Sequence, residues 1–210
     1  MLHNPGPGRF IVIEGLDGAG TTTQVRLLHR RLQGVSAVHL TYEPSEGPVG
    51  LQIRMVLQNR VVVDPAVLAA LFAADRMDHL YHRVREGGIV AHLERGCAVL
   101  SDRYYLSSLA YQGMTQEWGW LWHMHARAIR PDRTLFVDVP VEVCLERIAA
   151  SRGGRFDLFE NQEALERVRL SYLDAIDRLR QEGESIEVVA GDAPPQAVHE
   201  AIWQKVAPLF

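Results

Sequence analysis

The sequence predicts a three-layer α/β fold, a five-stranded parallel sheet flanked by helices, and two observations carry that reading. Five short apolar runs recur along the chain, each closed by glycine or polar residues, and helix-like segments separate every neighbouring pair. Strands joined through helices need crossover connections, which build a parallel sheet whose ligands bind beyond the carboxyl ends of the strands. The first strand is Phe10-Ile11-Val12-Ile13 and the second Ala37-Val38-His39-Leu40. A long helix opens at Asp64-Pro65, an N-cap followed by proline at the first helical position, with an apolar stripe through Val67, Leu71, Ala74, Tyr81 and Val84. Ala98-Val99-Leu100 forms the third strand, and Pro131-Asp132 introduces the fourth, Thr134-Leu135-Phe136-Val137. Ser151 to Glu160, with two glycines, two arginines and scattered aromatics, reads as an exposed, movable loop between two helices. A second stripe through Leu165, Val168, Tyr172, Ile176 and Leu179 marks the next helix. Ile186-Glu187-Val188-Val189 is the fifth strand, and Ala193-Pro194-Pro195 opens a last helix running to about Leu209.

Composition narrows the possible functions. At 210 residues, 47% hydrophobic and 23% charged, the chain reads as one domain over 1–210. A formal charge of −4 leaves no excess of positive charge to hold a polyanion, so nucleic acids and anionic membranes are not expected partners, while a small anionic ligand is. Among 22 basic residues, Lys205 alone is a lysine. The longest apolar run, Ala66 to Ala74, is far shorter than the about 20 residues a membrane-spanning helix needs. Met1 to Gly8 has neither an apolar nor a basic signal region and reads as a short frayed leader. Cys97 and Cys144 sit in apolar stretches and read as buried thiols, which fits a reducing cytoplasm.

Gly15-Leu16-Asp17-Gly18-Ala19-Gly20-Thr21-Thr22-Thr23 follows the first strand and precedes a helix with Val25, Leu28 and Leu32 at helical spacing. Glycines let the backbone curl so that several N–H groups point at one anion, and a helix N-terminus adds partial positive charge. The usual phosphate-loop pattern has lysine where Thr21 stands. The segment therefore reads either as a phosphate loop or as an ordinary glycine-rich turn, and Thr22 is placed to offer its hydroxyl to Mg²⁺. Ser101 to Gly113 follows the third strand. Its Asp102-Arg103 pair reads either as a buried structural ion pair or, beside a phosphate loop, as a metal-reaching carboxylate next to a phosphate-binding fork.

With those residues in place, the sequence resembles the thymidylate kinases, phosphate-loop nucleoside monophosphate kinases. The similarity runs through Phe10 to Gln24, Glu43-Pro44 with Pro48 and Gly50, Leu71 to Arg76, Asp102 to Gly113, and Pro131 to Val139. The Asp-Arg-Tyr, Ser-Ser and Ala-Tyr-Gln-Gly block is its most specific part. The resemblance implies that Phe72 stacks on thymine, Arg76 hydrogen-bonds the base, and Ser108 and Gln112 line the base pocket. It also implies that Asp17 binds the sugar 3′-hydroxyl, Arg103 binds the substrate phosphate, and Tyr111 fills the space a 2′-hydroxyl needs. Spacings of four and three put Phe72, Arg76 and His79 on one helical face, about 100° from Leu71, although Phe72 also reads as core.

The implied chemistry is in-line transfer of the γ-phosphoryl of ATP to dTMP with Mg²⁺, by a homodimer. Arg152 or Arg155 of the loop, acting as a lid, would swing over the transferring group. Four departures remove charge or flexibility near phosphates. Thr21 replaces lysine, Tyr42 replaces the arginine before Glu43-Pro44, Ser45-Glu46 replaces a glycine pair, and Leu158 replaces a lid arginine. The rivals are another nucleoside or nucleotide kinase of the same fold, and a nucleotide-binding regulator that lost catalysis with its lysine. His123 and His125 alternate on a predicted helix and do not read as a metal pair. Trp118, Trp120 and Trp122 read as packing or an exposed edge, and Arg26, Arg30 and Arg31 as a solvated helix face.

Overall fold

The computed structural model describes residues 1–82, 87–152 and 161–210, with 151 and 152 as helical backbone. In chain order the elements are β1 (Phe10–Gly15), α1 (Thr21–Leu32), β2 (Val38–Tyr42), α2 (Pro48–Leu57), α3 (Pro65–Tyr81), α4 (Ile89–Glu94) and β3 (Ala98–Asp102). There follow α5 (Tyr105–Gln112), α6 (Trp118–Met124), β4 (Arg133–Asp138), α7 (Val141–Arg152), α8 (Gln162–Gln181), β5 (Ile186–Ala190) and α9 (Pro195–Val206). The five strands form one parallel sheet in the order β2-β3-β1-β4-β5, the architecture expected from the alternation of strands and helices.

All six residues of β1 are buried, because helices cover both sheet faces. The chain leaves β1 towards β2 on one side and later leaves β3 towards β4 on the other. The crevice at this reversal lies beyond the carboxyl ends of β1 and β3. Register places Ile13 opposite Asp102 and Tyr42 opposite the same residue, so the phosphate-loop segment, Asp102-Arg103 and Glu43 emerge side by side. The core runs through Val25, Leu28 and Leu32 of α1 and through the expected α8 stripe, Leu165, Val168, Tyr172, Ile176 and Leu179, all buried. Asp64 caps α3 as expected, accepting from Ala66 N at 2.8 Å. Among the described residues, no helix is long and apolar enough to cross a membrane.

Four expectations are corrected. On α3, Val67 and Ala74 of the expected stripe face solvent, and the buried face is Leu68, Ala69, Ala73, Arg76 and Leu80, with Asp75 beside it. Val84 lies outside the described residues. Paired charges can occupy a core face, and hydrophobic periodicity does not register them. The leader is tied down rather than frayed. Leu2 N donates to Ala128 O, Arg130 N donates to Leu2 O, and Asn4 Nδ2 donates to Asp132 Oδ2, the acceptor that also holds Phe10 N. Arg31 is not merely solvated, since it pairs with Glu200 at 2.7 Å and lies over the Trp203 ring. Cys144 is buried but Cys97 only half-buried, and both are free thiols.

Leu28 joins the loop-bearing helix α1 to the sheet with no exposed surface. Leu28→Ala is expected to cost about 2–5 kcal/mol, read as a lower urea midpoint at unchanged slope, while Arg26→Ala on the exposed face stays within about 0.5 kcal/mol.

Candidate functional site

At the end of β1 the chain turns through Leu16, whose buried side chain anchors the loop, and Ala19 N closes the turn on Leu16 O at 3.0 Å. Gly18 and Gly20 both have positive φ, 81° and 87°, which L side chains rarely adopt, and a Cβ at Gly18 would lie 2.4 Å from Cys144 O. Gly20 therefore starts α1 with no side-chain cap, leaving the helix N-terminus facing the crevice. Thr21, standing where the pattern has lysine, is buried with its methyl against Gly15 and does not reach over the loop. Arg147 of α7, which carries no signal in the sequence, brings its guanidinium to the outer side of the loop, 3.3 Å from Ala19 O and 3.4 Å from Gly191 O.

Beside the loop, Arg103 and Asp17 form a 2.6 Å ion pair, and Tyr111 OH donates to the other Asp17 oxygen at 3.1 Å. Arg103 has φ 71°, strained for a residue with a Cβ, and is held there by its N–H on Ile13 O. Thr22 Oγ1 donates to Asp102 Oδ2 at 2.7 Å, while the buried Asp102 Oδ1 has no partner among the described residues. Asp17, Thr22, Thr23, Asp102, Arg103 and Tyr111 thus collect around the loop from β1, α1, β3 and α5. The reading of Asp102-Arg103 as one structural ion pair fails, because each residue pairs with a different partner.

The second cluster surrounds Arg76. Its Nε and Nη2 both donate to Glu43 Oε2, at 2.9 and 2.6 Å, Nη2 also donates to Ser108 Oγ at 3.0 Å, and Nη1 meets His125 Nδ1 at 3.0 Å. His79 bonds the remaining Glu43 oxygen and Thr41 Oγ1. Burial, reinforced by the Arg76 charge, holds the His125 ring far below its ordinary pKa, so it is neutral and accepts from the guanidinium. Sequence reasoning missed Glu43, His79 and His125 in this role, since they come from three distant segments. Phe72 is half-buried and packs on the small cluster of Ile53 and Val56 of α2 and Leu68 of α3. Gln112 Oε1 is buried without a partner among the described residues, and Gln112 and Tyr111 line a cavity of about 440 Å³ with Val63, Leu68, Met114 and Ala164.

Tyr42 OH donates to Glu46 at 2.7 Å, and Ser45 is buried against Asp75, so these two departures are built into the turn after β2. Of the expected lid, Ser151 to Glu160, Ser151 and Arg152 end α7 as backbone, and residues 153–160, with Arg155 and Leu158, lie outside the described residues. His123 is exposed and bonds Gly119 O, on a different side from His125. Trp118 and Trp122 stack on each other, half-buried, whereas Trp120 is exposed.

A sequence profile described as thymidylate kinase matches residues 13–202. A thymidylate kinase of Thermomicrobium roseum is 39% identical over 208 residues, covering 96% of this chain and 95% of that protein. Thymidylate kinases of Alkalilimnicola ehrlichii and Desulfotalea psychrophila are 38% and 36% identical, over 95% and 80% of this chain and 93% and 81% of theirs.

Two outcomes follow from the Arg76 cluster. Glu43→Ala leaves a buried guanidinium without its counter-charge and is expected to cost about 3–5 kcal/mol in denaturant titration. His125 takes up its proton only on unfolding, so its contribution is complete above the unfolded pKa of about 6.5 and is lost as pH falls below it. His125→Asn should flatten stability against pH between 6.5 and 5, where one such group contributes a slope approaching about 1.4 kcal/mol per pH unit.

Proposed function

Because the chain belongs to the thymidylate kinase family, in which it transfers the γ-phosphoryl of ATP to dTMP, we propose a residue-level account of that reaction. The observation that carries it is the Arg103–Asp17 pair, set between the phosphate loop and Tyr111. Gly15 to Thr23 cradle the triphosphate, with backbone N–H groups and the α1 N-terminus facing its charge. Arg103 takes the acceptor phosphate, Asp17 the sugar 3′-hydroxyl, and Tyr111 blocks the 2′ position. Phe72 stacks on the base, Arg76 and Ser108 read its edge, and the unpaired Gln112 carbonyl is an acceptor for a base N–H.

Mg²⁺ fits the residues present. Asp102 offers a buried, unpartnered oxygen, its other oxygen is tied to Thr22, and hard oxygen donors suit that ion. When bound, Mg²⁺ neutralises charge developing on the phosphates. The chain's own part is positioning. Arg103 and Asp17 align the acceptor, whose phosphate oxygen is already anionic and needs no side-chain base, and Arg152 or Arg155 is the candidate to close over the transferring group. The working unit is one domain over 1–210, acting in the cytoplasm as a homodimer. The outward face of α3, with Val67 and Ala74 exposed, and the exposed Met55 of α2 supply apolar surface for a second copy.

A coupled assay with Mg-ATP should show dTMP preferred over dUMP, dCMP and the ribose analogue, because buried polar groups left unpaired by a wrong base cost up to ~10⁴ in kcat/KM. Equal efficiency with dCMP would overturn the base-pocket assignment. Thr21→Lys restores a point charge worth up to about 10²–10³ in rate and should raise activity by less than that factor, since Arg103 and a lid arginine already supply positive charge. Transfer by neither form would return the chain to the regulator reading.

A further inference from the structure

Glu14, next to last in β1, is a carboxyl group with no exposed surface, directly beneath the phosphate loop. Burying such a group is costly, so its hydrogen bonds show what it holds. Its Oε1 accepts from Tyr104 N at 2.8 Å and Ser107 N at 3.2 Å. Tyr104 is the N-cap residue of α5 and Ser107 the third residue of that helix, and α5 has no side-chain cap of its own. These are the two amides that a capping box satisfies from within a helix. Here one oxygen from a neighbouring strand satisfies both.

The other oxygen, Oε2, accepts from the Ser107 hydroxyl and from Tyr172 OH at 3.2 Å. Arg103 Nη1 donates to the same two hydroxyl oxygens, at 3.1 Å each, while its Nη2 holds Asp17. An ionised carboxylate can only accept, and a guanidinium can only donate. With Arg103 donating to both oxygens, the Ser107 hydroxyl directs its hydrogen to Glu14, its shortest contact, while the Tyr172 hydroxyl has Glu14, Ser107 Oγ at 2.7 Å and Gly15 O at 3.3 Å as acceptors. Glu14 therefore fixes Arg103 twice, through the capped helix that follows its strained backbone and through the Ser107–Tyr172 hydroxyl pair that ends on its Oε2.

We propose that Glu14 is a positioning residue for phosphoryl transfer, aiming the Arg103 guanidinium at the acceptor phosphate through Ser107, Tyr172 and the cap of α5. The proposal rests on Arg103 taking that phosphate. Burial pushes the Glu14 carboxyl up to about 7, against the opposing pull of the Ser107 hydrogen bond and the Arg103 charge. The groups facing it are Arg103 after β3, Tyr104 and Ser107 at α5 and Tyr172 on α8, with Asp17 beyond Arg103. Protonation lets Glu14 donate and reverses the polarity of one hydroxyl, so Arg103 is fully oriented only above about pH 7. The substrate phosphate titrates separately near 6.

The test is steady-state kinetics from pH 5.5 to 8.5 with dTMP and Mg-ATP, on the wild type, Glu14→Gln, Tyr172→Phe and Arg103→Lys, with thermal melts alongside. Glu14→Gln should lower kcat/KM for dTMP about 10–100-fold at pH 8, the range for a charged hydrogen-bond network, with KM for ATP little changed. It should also lose the inflection near 7 while keeping that near 6. Tyr172→Phe keeps the carboxylate and should show a smaller loss, about 2–10-fold, which carries the test if Glu14→Gln does not fold. Glu14→Gln with a lowered melting temperature but wild-type kcat/KM and pH profile overturns the proposal, as does a wild-type kcat/KM for Tyr172→Phe. If Arg103→Lys leaves dTMP kinetics intact, the phosphate assignment itself is wrong. If Arg103→Lys is impaired and Glu14→Gln is not, the positioning proposal alone falls.

Discussion

The parallel register that sets Ile13 opposite Asp102 decides where every charged group of the crevice stands. Each residue of a strand advances about 3.3 Å, so a two-residue slip would carry Asp102 and Arg103 more than 6 Å from the loop they serve. Both strands are buried on their two faces, and alternation of apolar and polar residues cannot pin such a pairing. What pins it is polar and local to the carboxyl ends. Arg103 N bonds Ile13 O, Glu43 N bonds Asp102 O, and Thr22 bonds the Asp102 side chain. The contacts that hold the register also build the site.

Two buried charge systems follow from that register, and they divide the crevice by chemistry. The Glu14, Ser107, Tyr172 and Arg103 system sits beside the loop after β1, the end we assign to phosphate, and the Glu43, Arg76, His79 and His125 system at the end we assign to the base. Well-packed apolar residues often replace buried ion pairs without loss of stability, so cohesion alone is a weak reason for either system. Each holds an arginine nearly still by occupying its donors. Arg76 spends Nε, Nη2 and part of Nη1 on three partners, which leaves a guanidinium of fixed orientation rather than a mobile charge. The base-reading role proposed for Arg76 needs that immobility, because unpaired polar groups discriminate only when they cannot move to find new partners.

The sheet was legible because each strand is a bounded apolar run, and α8 because its stripe at steps of three and four carries only apolar residues and one tyrosine. On α3 the same method chose the wrong face. Its core side contains Arg76, paired with the Glu43 carboxylate, with Asp75 beside it, hydrogen-bonded by Ser45, both partners more than 25 positions away in sequence, while Val67 and Ala74 are free to be apolar outside. The leader was misjudged for a related reason. Two of its anchors are backbone groups at Ala128 and Arg130, which leave no trace in residue type, and the third pairs Asn4 with Asp132, 128 positions away. At the site, the loop and the Asp102 to Gly113 block stood out because their residues are contiguous. Glu14, Tyr172, Arg147 and His125 did not, because each acts on a partner far along the chain.

Thr21 separates two properties that a phosphate-loop motif usually presents together. The shape of the loop comes from Gly18 and Gly20 at positive φ, from Leu16 buried beneath it and from the start of α1, none of which involves the residue at position 21 except as filler against Gly15. The charge ordinarily comes from lysine. In this chain shape persists without it, and the positive groups around the loop are arginines held by other elements, Arg103 inside the crevice and Arg147 against the outer carbonyls. A guanidinium fixed by three partners cannot follow a moving phosphoryl group as a flexible ammonium can. The loop's shape is therefore independent of residue 21, and in the proposed reaction stabilisation of the transferring charge falls to groups outside the loop.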